Sequence, residues 1–328
     1  MAFGGDVHFE SHVAALLRHP STSLASLRPY LAPADIAMVN LETAITRRGT
    51  PAPKEYRFRA PASALTTLAG AGVDVVSMAN NHAADYQAVG LQDTLAARRT
   101  SPVRIVGIGA NAREAYSPAI MNVRGQRIAV LAASQLRDWT LQTWEATSTR
   151  PGIAGARPIA PLLEAVKSAR LKADVVVVYV HWGVERMSCP DATQRDAARK
   201  LAAAGADVVI GSHPHVTQGA GREGSAYVAY SMGNFVWYSR NSSASSSTGV
   251  LTLTLDGRKV VASRWTPLRV SSSGVPKPPS SAEATRMRRD WQASRSCTGL
   301  RAIPSRTSSS EPTSSESPGS QSPSPESP

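Results

Sequence analysis

Six short motifs in this 328-residue chain carry side chains able to hold a metal ion or move a proton. They read GGDVHFE (4–10), VNLET (39–43), ANNHAAD (79–85), HWGVE (181–185), GSHPHVTQ (211–218) and YSMGNF (230–235). Their polar members are Asp6 and His8; Asn40 and Glu42; Asn80, Asn81, His82 and Asp85; His181 and Glu185; His213 and His215; and Asn234. The donors are imidazole nitrogens and carboxylate or amide oxygens, with no thiolate. Such a set suits Mn, Fe or Zn rather than an iron–sulfur or structural zinc centre. One DxH or HxH pair alone is common and carries little weight. Here five of the chain's seven histidines fall in the motifs, while His12 and His19 lie in a polar segment and are expected at the surface. Burying so many imidazoles, amides and carboxylates together is costly unless they share a cation. They exceed one tetrahedral shell, so two divalent ions are expected, with a carboxylate such as Glu42 able to bridge them. A metal pair activates water and stabilises an oxyanion in a displacement. An imidazole outside the shell could protonate the leaving group, and His82, with Asp85 nearby, is the candidate.

Each motif stands at the end of an apolar run. ADIAMVN (34–40), VDVVSM (73–78), VRIVGIG (103–109), RIAVLAA (127–133), ADVVVVYV (173–180), ADVVIG (206–211), AYVAYS (226–231) and VLTLTL (250–255) read as strands, and GGDVHFE continues another. Continuous rather than alternating apolarity predicts strands covered on both faces. Amphipathic segments lie between them at 61–72, 85–99 and 190–206, the first and last opening near Pro and closing near Gly. Strand–helix alternation predicts a layered α/β fold, in which ligands sit beyond the carboxyl ends of the strands. The segment 134–157 is poorly periodic and is expected to be a long loop. The serine-rich 239–249 is expected to be a flexible connection. One short helix is expected around 281–294, and the Ser/Pro/Glu-rich residues 303–328 are expected to be disordered, having nothing apolar to bury.

The formal net charge is +12, and the last 22 residues carry three Glu and no Lys or Arg, so the rest is more basic still. Such a field favours polyanions or an anionic surface. No helix-turn-helix, zinc finger or RNP-like motif accompanies it, so nucleic acid is not an expected partner. Cys189 and Cys297 are not in a CxxC pattern; they read equally as one disulfide or two free thiols. No apolar run is long enough to span a membrane. Trp182 is expected to close a core, and Trp139 and Trp144 to pack their loop down.

Taken in order, the motifs resemble the CapA family of capsule or poly-γ-glutamate synthesis proteins, which are similar to calcineurin-like metallophosphoesterases. The resemblance covers roughly residues 1–270, in family order and spacing. It implies a four-layer αββα metallophosphatase-like sandwich over 1–270, an extension over 271–302 that closes the domain, and the tail over 303–328. It also implies roles. Asp6 and His8 match the DxH of the first metal, with His215 as a further ligand. Asn81, His181 and His213 match the second metal's ligands, and His82 matches the family's catalytic His. Glu42 stands where phosphoesterases use a bridging Asp, which lengthens that arm by one methylene. Asn40, Asn80, Glu185 and Asn234 match positions the family shares. Ser212 replaces a His found in many relatives.

The resemblance further implies capsule or poly-γ-glutamate biosynthesis, with water activated at two divalent ions (Mn, Fe or Zn) to cleave or transfer a phosphoester or a γ-glutamyl amide. The competing expectation, motivated by the charge, is a non-catalytic polyanion-binding component of an envelope polymer synthase or exporter. An anionic polymer or phosphoester substrate and a membrane-bound synthase complex are the expected partners. The expected place is the outer face of the cell envelope. The leader or anchor usual in the family is not seen in this chain, which leaves a cytoplasmic location open.

Overall fold

The computed structural model describes residues 1–238 and 242–303. The tail expected to be disordered lies outside these residues from 304 onward. Two sheets face each other. The larger has eight strands. Across it run Pro276–Lys277, Lys259–Val270, Ser247–Asp256, Ala2–Val7, Ala37–Leu41, Val75–Ser77 and Arg104–Val106. The short Asn234–Val236 strand pairs parallel with the carboxyl end of Ala2–Val7, setting Asp6 opposite Asn234. The six-stranded sheet runs Thr217–Glu223, Ala226–Met232, Val208–Ser212, Val175–His181, Gln126–Ser134 and Ala119–Val123. Its four central strands are parallel, so their carboxyl ends come to one edge.

The continuous apolar runs are explained by what covers each face. Along Val175–His181, Val175, Val177 and Tyr179 point between the sheets against Phe3, Met38 and Ile210. The alternate residues Val176, Val178 and Val180 meet Leu162 and Val166 of the helix Ala160–Arg170 and Leu201 of the helix Ala192–Ala204. Val39 and Val76 of the larger sheet meet Leu65, Leu68 and Leu91 on the helices Ser63–Gly70 and Gln87–Thr100. Three apolar layers thus separate four layers of structure, helix–sheet–sheet–helix, as expected. Burying one such valine or leucine side chain contributes about 1.5–3 kcal/mol. The Ala192–Ala204 helix starts at a capping box between Asp191 and Gln194 and stops at Gly205, whose φ of 109° suits glycine.

Three regions differ from expectation. Within 134–157, Asp138 caps a short helix, Trp139–Trp144, and Gly152–Ile153 pairs with Ile108–Gly109. Six residues give too few turns for a periodic signal, and the Asp138 cap is its legible mark. Within 239–249, residues 239–241 lie outside the described part. The remainder forms a capped turn of helix, Ser243–Ser246, and then a strand from Ser247. The Arg269 guanidinium donates to Ser243 O and Ser246 Oγ and holds that turn in place. The strands Ala119–Val123, Thr217–Glu223 and Lys259–Val270 carry polar or small residues along one face and lack the apolar run that marks the others.

Cys189 and Cys297 form a disulfide. It ties the turn between the HWGVE motif and the Ala192–Ala204 helix to the C-terminal extension. That extension pairs Pro276–Lys277 with the sheet edge, stacks Trp291 on Trp265, and bonds Arg301 to Arg222 through both backbone groups. Trp182 is fully buried and donates its indole N–H to Tyr230 O at 2.7 Å, and Trp144 packs on the core of the larger sheet. His12 and His19 are exposed. Among the described residues, no helix is long and apolar enough to cross a membrane.

Candidate metal centre

The carboxyl ends of both sheets meet at one edge, and the polar motif residues converge there. Asp6, His8, Asn40, Glu42, Asn80, Asp85 and His181 are fully buried, and His82, His213 and Asn234 nearly so. Asn40 is the hub. Its Nδ2 donates to Asp6 Oδ1 at 2.8 Å and lies 3.4 Å from Glu42 Oε2 and 3.3 Å from His181 Nδ1. Asn80 in turn donates to Asn40 Oδ1 at 3.0 Å and to Leu41 O at 2.9 Å. Asn40 and Asn80 therefore hold the carboxylates in place, a role the motifs alone did not reveal.

Two groups of donors face each other across Glu42. On one side, Asp6 Oδ2 lies 3.4 Å from His215 Nδ1 and accepts from His213 N at 3.2 Å. One ligand atom from each of Asp6, Glu42 and His215 falls within 4.8 Å of the others, and Glu185, His213 and His215 form a second such group. On the other side, His181 Nε2 is 2.9 Å from Asn81 Oδ1 and 3.9 Å from Glu42 Oε1. The opposite ring nitrogen of His181 is fixed by Ser212 Oγ at 2.9 Å, so Ser212 sets the orientation of a neighbouring ring.

Glu185 is exposed at the rim and Asn81 half-buried. His8 stands differently from the rest. Its two ring nitrogens face the backbone N–H groups of Glu10 and Tyr238, and its ring is wedged among Phe58, Trp237 and Tyr238. Neither converging group includes it.

The electrostatics suit a cation. Glu42 Oε1 and His213 Nδ1 are buried with no hydrogen-bond partner among the described residues. Burial, with Asp6 beside it, holds the Glu42 carboxyl well above the usual carboxylate range. Burial, with other imidazoles alongside, holds His181 well below the usual histidine value and pushes His213 down to about 3. Burial also opposes charge on His215, but the Asp6 carboxylate outweighs it and raises that ring. Neutral imidazole lone pairs around an unpartnered carboxylate oxygen are what a divalent ion requires. The backbone supports the same conclusion: His213 and His215 adopt φ of 95° and 56°. Non-glycine residues there cost on the order of 1–3 kcal/mol each and cluster at functional sites.

His82 is held in one orientation. Asp85 Oδ2 holds its Nδ1 at 2.6 Å, which leaves Nε2 directed toward Glu42 Oε1, 3.8 Å away. Asp85 also accepts from Phe58 N at 2.6 Å and from Lys54 Nζ at 2.7 Å. Phe58 lies between the His82 and His8 rings, with centroids at 4.0 and 4.5 Å. Lys54, Phe58 and Trp237 were not legible as site residues, because their segments carry no motif. The groove above the site has a volume of about 220 Å³ and is walled by Tyr56, Phe58, Trp237 and Tyr238, with His82, His215 and Asn234 at its floor.

Comparison with known proteins bears on the family. The model for the bacterial capsule synthesis protein PGA_cap matches residues 1–239. The capsule biosynthesis protein CapA of Bacillus anthracis is 31% identical over 246 residues, which is 72% of this chain and 59% of that protein. The PGA biosynthesis protein CapA of Bacillus subtilis is 30% identical over 241 residues, covering 72% and 62%. The chain thus spans about six-tenths of the length of these curated relatives. Among solved structures, a sulfate thiohydrolase SoxB of Thermus thermophilus shares 18% identity at a TM-score of 0.44, covering 83% of this chain and 46% of that one. That likeness is too distant to bear on activity. The matched residues contain every motif of the buried cluster, and this chain belongs to the bacterial capsule synthesis protein PGA_cap family.

Proposed function

We propose that this protein is a metal-dependent hydrolase or transferase of capsule or poly-γ-glutamate biosynthesis, acting on a phosphoester or a γ-glutamyl amide. The observation that carries this reading is the unpartnered Glu42 Oε1, buried amid Asp6, Asn81, His181, His213 and His215. Asp6, Glu42 and His215 would hold one divalent ion; Glu42, Asn81 and His181 would hold a second, with His213 in reach as a further ligand, its ring centroid 4.9 Å from that of His181 and 5.7 Å from that of His215. When bound, such ions supply Lewis acidity and lower the pKa of water.

The chain's own residues do the rest. Asn40 and Ser212 fix the ligands against rotation. Asp85 fixes His82 so that Nε2 faces the groove, where it can protonate a departing oxygen or nitrogen. Lys54 balances the buried Asp85 charge. The aromatic walls exclude water from the reacting bond. An anionic polymer is the preferred substrate class, and the relatives' pathway together with the disulfide supports work at the cell envelope, in contact with a membrane-bound synthase.

The test is metal content per chain by plasma mass spectrometry, on wild type and on a His213→Ala/His215→Ala double variant. About two Mn, Fe or Zn per wild-type chain, lost in the variant, are expected. Hydrolysis of phosphoester or γ-glutamyl substrates should then disappear in His82→Ala while the metals stay. No bound metal after reconstitution, or full activity in His82→Ala, refutes the proposal and leaves polymer binding as the role of the cluster.

A further inference from the structure

The opposite edge of the sandwich carries a second polar feature. A cleft of about 520 Å³ opens between the helix Ser281–Ala293 and the Lys259–Val270 strand. Arg264, Arg288 and Arg295 line it, with no acidic residue among its walls. Arg288, Trp291 and Gln292 share one face of that helix, and Arg295 follows in the short 3-10 turn Ser294–Cys297. Trp291 stacks on Trp265 with ring centroids 4.1 Å apart and planes within 6°, which gives the cleft a flat apolar floor.

The neighbouring guanidinium groups are occupied: Arg269 pairs with Glu283, Arg289 with Asp290 and Arg258 with Asp207. The three in the cleft pair with no carboxylate among the described residues. Guanidinium forks match carboxylates in geometry as well as charge. Three of them around one cleft with an apolar floor suit a ligand with repeated carboxylates and aliphatic stems, better than a single small anion.

Distance points the same way. Tyr227 lines this cleft, and Asn234 lines the groove over the metal centre. The largely extended chain between them spans roughly 20 Å at about 3.3 Å per residue. A polymer can touch both places, and a monomer cannot.

We infer that the arginine cleft is a second binding site, which holds the carboxylates of a polyanionic chain at a distance from the metal centre. The inference rests on the polymer part of the proposed function and not on its chemistry. Poly-γ-glutamate binding at low salt, read by tryptophan fluorescence, tests it. Three variants are compared with wild type: Arg264→Gln/Arg288→Gln/Arg295→Gln, His213→Ala/His215→Ala, and Arg113→Gln/Arg199→Gln as an exposed control on other faces. Melting curves confirm that each variant is folded, and metal content is read alongside.

The cleft variant should bind at least about tenfold more weakly, since each exposed charge pair contributes modestly and three are removed together. Its metal content should match wild type. The histidine variant should keep its affinity within about threefold. Wild-type affinity in the cleft variant, loss confined to the histidine variant, an equal loss in the control, or no polymer binding by wild type would each overturn the inference. All four outcomes leave the metal result standing on its own, so the two failures are distinguishable.

Discussion

Val177 and His181 lie on the same strand, and both are wholly buried. Val177 sits between the two sheets among Phe3, Met38 and Ile210. His181 sits at the strand's end beside Glu42, whose Oε1 has no partner, and near His213, whose Nδ1 has none. The inter-sheet layer is satisfied by the chain alone. The cluster at the strand ends is not: it keeps a buried carboxyl, neutral imidazoles and two strained histidine backbones at the floor of a groove. The layer supplies the stability that the cluster draws on, which is the usual relation between a scaffold and a preorganised site.

The sharpest way to break this relation is to place a charge in the satisfied layer. Val177→Asp buries an unpaired carboxylate and should cost more than about 4 kcal/mol, enough to abolish the cooperative urea transition. A variant that still folds with an unchanged transition midpoint would mean that the inter-sheet layer is not the source of stability.

The disulfide gives a smaller effect at the boundary between the two regions. It closes a loop over a sequence separation of 108 and joins the turn after Glu185 to the C-terminal extension. Replacing both cysteines by serine should lower stability by about 3–4 kcal/mol, seen as a lower urea midpoint. The metal content of the folded variant should be unchanged, because no ligand sits on the bridge. Loss of metal together with the disulfide would place the Glu185 turn inside the centre rather than at its rim.

Glu42→Gln should show no such loss. In metal-free protein burial beside Asp6 already holds the Glu42 carboxyl in its neutral form near neutral pH, so a neutral amide of the same shape should leave stability unchanged or raise it, by no more than about 1 kcal/mol. In reconstituted protein the same change should lower metal content. A cluster that had evolved only to brace the fold would be weakened by the substitution in both states.

These differences also explain what could be read from the sequence. The strands Val175–His181 and Val208–Ser212 announce themselves because both faces are covered, which leaves an unbroken apolar run. The histidines and carboxylates at their ends were legible because they follow those runs at once. Lys54 and Phe58 were not, since they come from an irregular segment with no period, and reach the site only because Asp85 binds both. The arrangement of His8 was equally hidden: DxH spacing places it near Asp6, but the ring's surroundings are set by Phe58, Trp237 and Tyr238, from segments far along the chain. The paired state of Cys189 and Cys297 depends on where the extension folds back, which no local pattern encodes.

Lys54 provides the smallest and most discriminating comparison. Its ammonium donates to Asp85 and to Asn81 O, so it braces both the His82–Asp85 pair and the backbone at Asn81. Its side chain is 18% exposed, whereas Asp85 is fully buried. Lys54→Met removes the partial shield from Asp85 but leaves the Phe58 N–H and His82 in place. The expected loss is about 1 kcal/mol, read as a shifted urea midpoint at constant m-value. A loss closer to about 4 kcal/mol would show that Asp85 behaves as a buried charge with one essential partner. The His82–Asp85 pair would then depend on Lys54 as a buried ion depends on its partner, and the line between the satisfied core and the unsatisfied cluster would have to be drawn further out, beyond Lys54.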